Sequence, residues 1–259
     1  MIHEITKGDH KLVKKIASLK EKKYRERYGE FLVEGALSVE WAVSSSYQVC
    51  DVVFSSDFSL PDSLKEALSG RDMVQVPPHL FAKMADTKTP QGILCTCKLP
   101  ETPKMPEKGT FVYCDRVRDP GNLGTIIRTA DAMGFDGVIL SPDSVDPYNP
   151  KLVRSTMGSL FHITLFDGVD YDTIQSWQKQ GFQLVASALS DQAVTPARWL
   201  PTGKMILVMG NEASGVSEEI LACADTVVKI PRAGSAESLN VAAAAAILLY
   251  VSAEKLNQI

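Results

Sequence analysis

The stretch IPRAGSAESLNVAAAAAILLY, Ile230–Tyr250, joins a polar, glycine-bearing loop to a run of alanines and aliphatics without a spacer. Five consecutive alanines, Ala242–Ala246, are a poor choice for a helix that only fills a core, because larger side chains bury more apolar surface. A capped helix accounts for part of the pattern, with Ser238 or a neighbour as the cap. It leaves open why the helix is so slim.

Working back from this stretch, apolar runs alternate with helical patterns. GTFVYCD, DGVILSP, HITLF, FQLVASAL, KMILVMG and DTVVKIP read as strands. GNLGTIIRTADAMG, NPKLVRSTMG, YDTIQSWQKQG and SEEILACAD read as helices between them. Near-continuous apolar strands separated by helices predict an α/β fold with a mostly parallel sheet buried on both faces. Ligands of such sheets collect at the carboxyl ends of the strands. Three glycine-bearing loops follow strands here: CDRVRDPGNLGTIIR, VMGNEASGVS and IPRAGSAESLN.

Further upstream, LPETPKMPEKG holds three prolines, four charged residues and no apolar periodicity. It reads as a linker, 99–109, between a domain over 1–98 and one over 110–259. Before it, EFLVEGALSVEWAV, DVVFSS, PDSLKEAL, DMVQVPPHLFAKMAD and QGILCTCK alternate again and predict a smaller three-layer α/β domain.

Composition narrows the classes. No apolar run reaches the roughly 18 residues of a membrane span, and the charged N-terminus lacks a signal-peptide core. A cytoplasmic protein is expected. The five cysteines form no C-x-x-C pair, and the four histidines supply no metal spacing, so no metal is expected. Net charge is −4, yet residues 1–28 carry nine Lys/Arg against four acids. That basic end, with Lys14, Lys15, Lys22, Lys23 and Arg25, suits either a phosphate-binding patch or a solvated helix face with i,i+4 pairs. GNLG supplies only G-x-x-G of the G-x-G-x-x-G dinucleotide fingerprint. There is no P-loop lysine pattern and no G-x-S-x-G elbow. Dehydrogenase, NTPase and hydrolase chemistry therefore all lack their defining residues.

What the loops do offer is Asn122, Arg128, Glu212, Arg232, Ser238 and Asn240, set among small residues. Arg128 lies six positions after Asn122, on the first turns of the helix that GNLG opens, and an arginine beside a helix N-terminus suits a phosphate. Taken together and in this order, DPGNLGTIIRTADAMGFDGVIL, LVMGNEASGVSEE and IPRAGSAESLNVAAAAAILLY closely resemble the three motifs of the SpoU (TrmH-type) RNA ribose 2′-O-methyltransferases, within the SPOUT superfamily. NPKLVRSTMGSLFHI is similar to the family segment between the first and second motifs. FLVEGALSVEWAV and TPQGILC are similar to a ribosomal-protein-like substrate-binding domain carried by many members. One departure is Arg232, where many members have methionine after Ile-Pro.

The resemblance implies a parallel sheet whose C-terminal segment threads a deep trefoil knot, a homodimer, and S-adenosylmethionine as cofactor. It places cofactor contacts at Gly210, Ile230 and Leu239, with Met209 and Asn211 beside Gly210. It nominates Arg128 as catalytic, either taking the proton or stabilising oxyanion charge. Asn122 would orient the arginine or the ribose, and Glu212, Ser238 and Asn240 would shape the pocket. Arg154 would reach the RNA backbone. Structured RNA is the implied partner, ribosomal RNA before transfer RNA. A catalytically silent RNA-binding or ribosome-assembly factor with the same fold is the competing expectation, and another nucleotide-using enzyme, such as an oxidoreductase, is a more distant one.

Overall fold

A computed structural model describes residues 1–104 and 106–259. Met105, inside the linker expected over 99–109, lies outside the described residues. The chain divides into two units, Met1–Glu101 with Asp146–His162, and Thr102–Val145 with Ile163–Ile259. The seventeen residues 146–162 thus group with the first unit, although the sequence pattern assigns them to the second domain.

The first unit runs β1 (Ile2–Glu4), α1 (Lys11–Ser18), α2 (Lys22–Tyr28), β2 (Glu30–Glu34), α3 (Ala36–Ser44), β3 (Val49–Ser55), α4 (Asp62–Ala67), β4 (Met73–Val76), α5 (Pro78–Met84) and β5 (Ile93–Lys98). Its sheet order is β1-β4-β3-β5-β2. Strands β1, β4 and β3 pair in parallel, while β5 runs antiparallel to both β3 and β2. Successive residues of a strand face opposite sides. Leu32 therefore joins Val13, Ile16, Leu80, Phe81 and Met84 beneath α1 and α5, while Phe31 meets Tyr47 and Tyr148 on the other face. Strand β1 carries no apolar alternation and was not expected. The basic segment folds as two helices, α1 and α2.

The second unit continues with β6 (Gly109–Cys114), α6 (Pro120–Ala132), β7 (Gly137–Leu140), α7 (Pro150–Ser155, within the segment belonging to the first unit), β8 (Thr164–Phe166), α8 (Tyr171–Lys179), β9 (Gln183–Ser187), β10 (Lys204–Met209), α9 (Glu218–Cys223), β11 (Thr226–Val228) and α10 (Val241–Lys255). Its six strands run in the order β11-β9-β10-β6-β7-β8, every pair parallel. Phe111, Tyr113, Ile139, Phe166, Leu184, Ile206 and Val208 form the core of one face. Helix α10 packs on α6. Ala242 and Ala245 are buried there, where small side chains let helices approach closely. No helix among the described residues is long and apolar enough to cross a membrane.

Candidate functional site

Strands β6 and β10 are neighbours in register up to Cys114 and Met209, so the loops that follow them leave the same edge of the sheet. Asp115, directly after β6, is buried. It accepts from Ser217 N at 2.7 Å and from Arg116 Nε at 3.0 Å, which satisfies a carboxylate that burial would otherwise penalise. Arg116 has φ 59, a left-handed conformation unusual for a side chain of this size. Asp119 then caps α6 by accepting from Asn122 N at 2.8 Å.

Asn122 ties the three loops together. Its Nδ2 donates to Glu212 Oε1 at 3.0 Å, and its Oδ1 accepts from Asn240 Nδ2 at 2.9 Å. Asn240 Oδ1 in turn caps α10, accepting from Ala242 N and Ala243 N. The cap is thus Asn240, two residues beyond Ser238. Glu212 also accepts from Asp119 N at 3.1 Å and Arg118 N at 3.3 Å. Asn211 braces its own loop: its backbone exchanges two 3.0 Å bonds with Gly215, and its Nδ2 donates to Arg116 O at 2.7 Å.

Burial pushes the Glu212 carboxyl up, but the Asn122 amide and the backbone N–H groups outweigh it and hold the pKa below the ordinary 4.5. A depressed folded value gives stability that is full above 4.5 and is lost as pH falls through the lower folded pKa. The stability gap between wild type and Glu212→Gln is therefore expected to be full at neutral pH and to close in acid. Solvent screening at this exposed site keeps it below about 1 kcal/mol. Thermal melts from neutral to acid check this, and a gap that does not vary with pH counts against a charge effect.

Beside this network lies a pocket of about 400 Å³, within the size range of small-molecule sites. Met209, Gly210, Asn211, Ile230 and Leu239, the expected cofactor residues, all line it. Glu212, Ser238 and Ala244 line it too. Here the alanine run has a second purpose, since a larger side chain at 244 would occupy the cavity. Gly210 also has a purpose inside the protein. A Cβ there would overlap the backbone of Gly215 and Val216, so the glycine permits the tight return of its own loop.

The Arg128 side chain is exposed and makes no hydrogen bond or ion pair with the described residues. It is the ninth residue of α6 rather than one of its first turn, roughly 9 Å along the axis from Asn122 at 1.5 Å per residue. The helix dipole fades within the first turn. An N-terminal anion site is therefore not what recommends Arg128; its free fork of donors is. The sequence reading missed Asp115, Arg116, Arg118 and Asp119. An acid placed at the very end of a buried strand was the available signal, because such a group must find donors.

Comparison with known proteins identifies the family. Residues 109–250 match the model of the SpoU rRNA Methylase family. The chain belongs to the SpoU rRNA methylase family. Residues 10–95 of this SpoU-family chain match the MRM3-like substrate binding domain. It is 35% identical over 248 residues to the 23S rRNA (guanosine(2553)-2′-O)-methyltransferase RlmP of Bacillus subtilis (strain 168), covering 95% of this chain and 98% of that protein. It is 31% identical to the 23S rRNA (uridine(2479)-2′-O)-methyltransferase of Streptomyces viridochromogenes, over 90% of this chain and 86% of that one. The AdoMet-bound rRNA methyltransferase from Sinorhizobium meliloti superposes with a TM-score of 0.86 at 31% identity, covering 98% of both chains.

The residues expected to meet RNA divide into two sets. Lys14, Lys22 and Lys23 are exposed, with Lys23 paired to Glu21 at 2.9 Å and Lys22 to Glu26 at 3.8 Å. Arg25 and Lys15 require correction. Arg25 is 3% exposed; it donates to Asp146 Oδ2 at 2.5 Å and to the carbonyls of Leu19 and Lys20. Lys15 bridges Glu30 at 2.8 Å and Asp51 at 2.6 Å. Burial lowers its pKa, but these two carboxylates outweigh that and leave it raised. Buried Glu30 and half-buried Asp51 and Asp146 claim these cations, so neither is free for a phosphate. Arg154, in the first unit, pairs with Asp86 at 2.8 Å and Glu34 at 3.7 Å.

Proposed function

We propose that this chain is an S-adenosylmethionine-dependent methyltransferase acting on a ribose 2′-hydroxyl of ribosomal RNA. The observation that carries the reading is Asn122, hydrogen-bonded to Glu212 and Asn240 at once, which draws the three motif loops together beside a cofactor-sized pocket. Relatives named as 23S rRNA 2′-O-methyltransferases over nearly the whole chain support ribosomal RNA before transfer RNA. Those two are named for different nucleosides, a guanosine and a uridine, so the modified base is not inherited from them.

The pocket suits S-adenosylmethionine in size and in apolar lining from Met209, Ile230 and Leu239. Bound there, the cofactor supplies a methyl carbon already activated on a sulfonium. What remains for the protein is alignment and charge control at the attacking hydroxyl. Arg128 contacts the RNA phosphate and the 2′-oxygen and stabilises the negative charge that develops as the hydroxyl proton leaves to solvent water. A guanidinium stays protonated in proteins, which favours this over proton abstraction. Asn122, fixed by its two partners, orients the ribose. Glu212 acts by holding the loop at Arg118 and Asp119 in place, with Ser238 and Asn240 on the pocket rim. Lys14, Lys22 and Lys23 add phosphate attraction from the first unit.

A deep knot formed by the C-terminal segment fits the strand order, the α10–α6 packing and the Asn240–Asn122 bond. A homodimer fits the outer face of α10, where Ala243, Ile247 and Tyr250 are exposed at spacings of four and three residues. The bacterial relative named as a 23S rRNA methyltransferase supports a cytoplasmic setting. Mapping ribose methylations in RNA from cells with and without this gene tests the function: one 23S rRNA position is expected to lose its methyl group. An unchanged ribosomal map would defeat the reading, and a lost tRNA methylation would replace the substrate.

A further inference from the structure

Three charged residues line the pocket: Glu212, Lys229 and Arg232. Their situations differ. The Glu212 carboxylate is already taken up by Asn122 Nδ2 and the backbone N–H groups of Arg118 and Asp119. Lys229 and Arg232 have no carboxylate partner among the described residues. Arg232 is exposed and folds back over its own loop, donating one N–H to Ala236 O at 2.9 Å. A guanidinium carries five donors in a planar fork that matches the two oxygens of a phosphate or carboxylate. The tether to Ala236 uses one and restricts the side chain, leaving the others available. Pro231, between Ile230 and Arg232, fixes one backbone angle of the segment that presents both cations.

We infer that Lys229 and Arg232 form an oxyanion subsite of the pocket, which binds either a phosphate of the bound ribosomal RNA or the carboxylate of the bound sulfonium cofactor. The inference rests on the methyltransferase reading above. Two uncompensated cations on a wall whose one anion is already saturated attract negative charge, and charge-assisted bonds of the fork are the stronger kind.

Full-length Arg232→Met, Lys229→Met and the double variant separate the two sources. Calorimetry with S-adenosylhomocysteine and with its decarboxylated counterpart reads the carboxylate. Binding of deproteinised ribosomal RNA, from cells lacking the gene, is followed across a salt series to read the phosphate. If the carboxylate is the ligand, wild type prefers S-adenosylhomocysteine by about tenfold, and Arg232→Met removes that preference. If the phosphate is the ligand, Arg232→Met weakens RNA binding about tenfold and lowers the salt slope by about one. Arg232→Lys is expected to restore part of either effect. Unchanged binding of both probes by the double variant, with an unchanged Tm, overturns the subsite. Wild-type protein that methylates no RNA would instead strike the methyltransferase reading, so the two failures are distinct.

Discussion

Replacing Arg128 with alanine is expected to lower the rate of methyl transfer by about 10²–10³-fold, the range seen when one donor to a developing oxyanion is removed. The same variant should bind S-adenosylhomocysteine within about twofold of wild type and melt at nearly the same temperature. The separation follows from where the residue sits. Arg128 is exposed, does not line the pocket, and engages none of the described residues. Its loss therefore removes no hydrogen bond or ion pair, and surface changes of this kind usually alter stability by less than about 0.5 kcal/mol. Arg128→Lys keeps the charge but loses the planar fork, so it should recover only a minor part of the rate. Single-turnover methyl transfer, calorimetry and thermal melting make the three measurements. Normal turnover in Arg128→Ala would remove it from the catalytic assignment.

The second large effect is expected from Gly210→Ala, and it acts through binding. A methyl group at this position would overlap the backbone of Gly215 and Val216 and lie 2.5 Å from the Gly215 carbonyl oxygen. Backbone cannot swing aside as a side-chain tip can, so the hairpin held by the Asn211–Gly215 pair must open. Overpacking of this kind costs about 1–3 kcal/mol or more, and the opened loop no longer presents Asn211 and Glu212 to the pocket. S-adenosylhomocysteine affinity should fall at least about tenfold, with Tm lower by several degrees. Gly215→Ala is the informative contrast. Gly215 sits at φ +70 with no atom within 4 Å of a built Cβ, so its cost is left-handed backbone strain of about 1–2 kcal/mol without a clash. Equal losses of affinity in the two variants would rule out the steric explanation for Gly210.

Much of this was legible along the chain. Apolar runs such as KMILVMG and FQLVASAL became β10 and β9 with their ends close to where the pattern placed them. The three loops were readable because glycines, asparagines and a lone glutamate interrupt apolar periodicity at strand ends. The basic N-terminus was less legible. Composition counts Arg25 and Lys15 as surface charge, yet Arg25 faces Asp146, 121 residues away, and Lys15 faces Glu30 and Asp51. No local pattern announces such partners. The same holds for residues 146–162, which read as a helix and its flanks between two strands of the second domain. Their aromatic and charged side chains, Tyr148 on Phe31, Phe161 on Tyr47 and Arg154 on Asp86, attach them to the first unit.

The sequence by itself determined the alternation of strands and helices, the three motif loops and the family, because periodicity and loop chemistry are local properties of the chain. Only the tertiary structure decided how those loops cooperate. It made Asn122 the bridge between Glu212 and Asn240, left Arg128 unengaged while drawing Arg25 inward, and gave Gly210 a role in turning its own loop. The Asn122 bridge and the Arg25–Asp146 pair bring together groups from distant positions in the chain, whereas the Gly210 turn is set by residues five and six positions on. Burial then requires every polar group to find a partner, and which partner it finds is settled by packing in three dimensions.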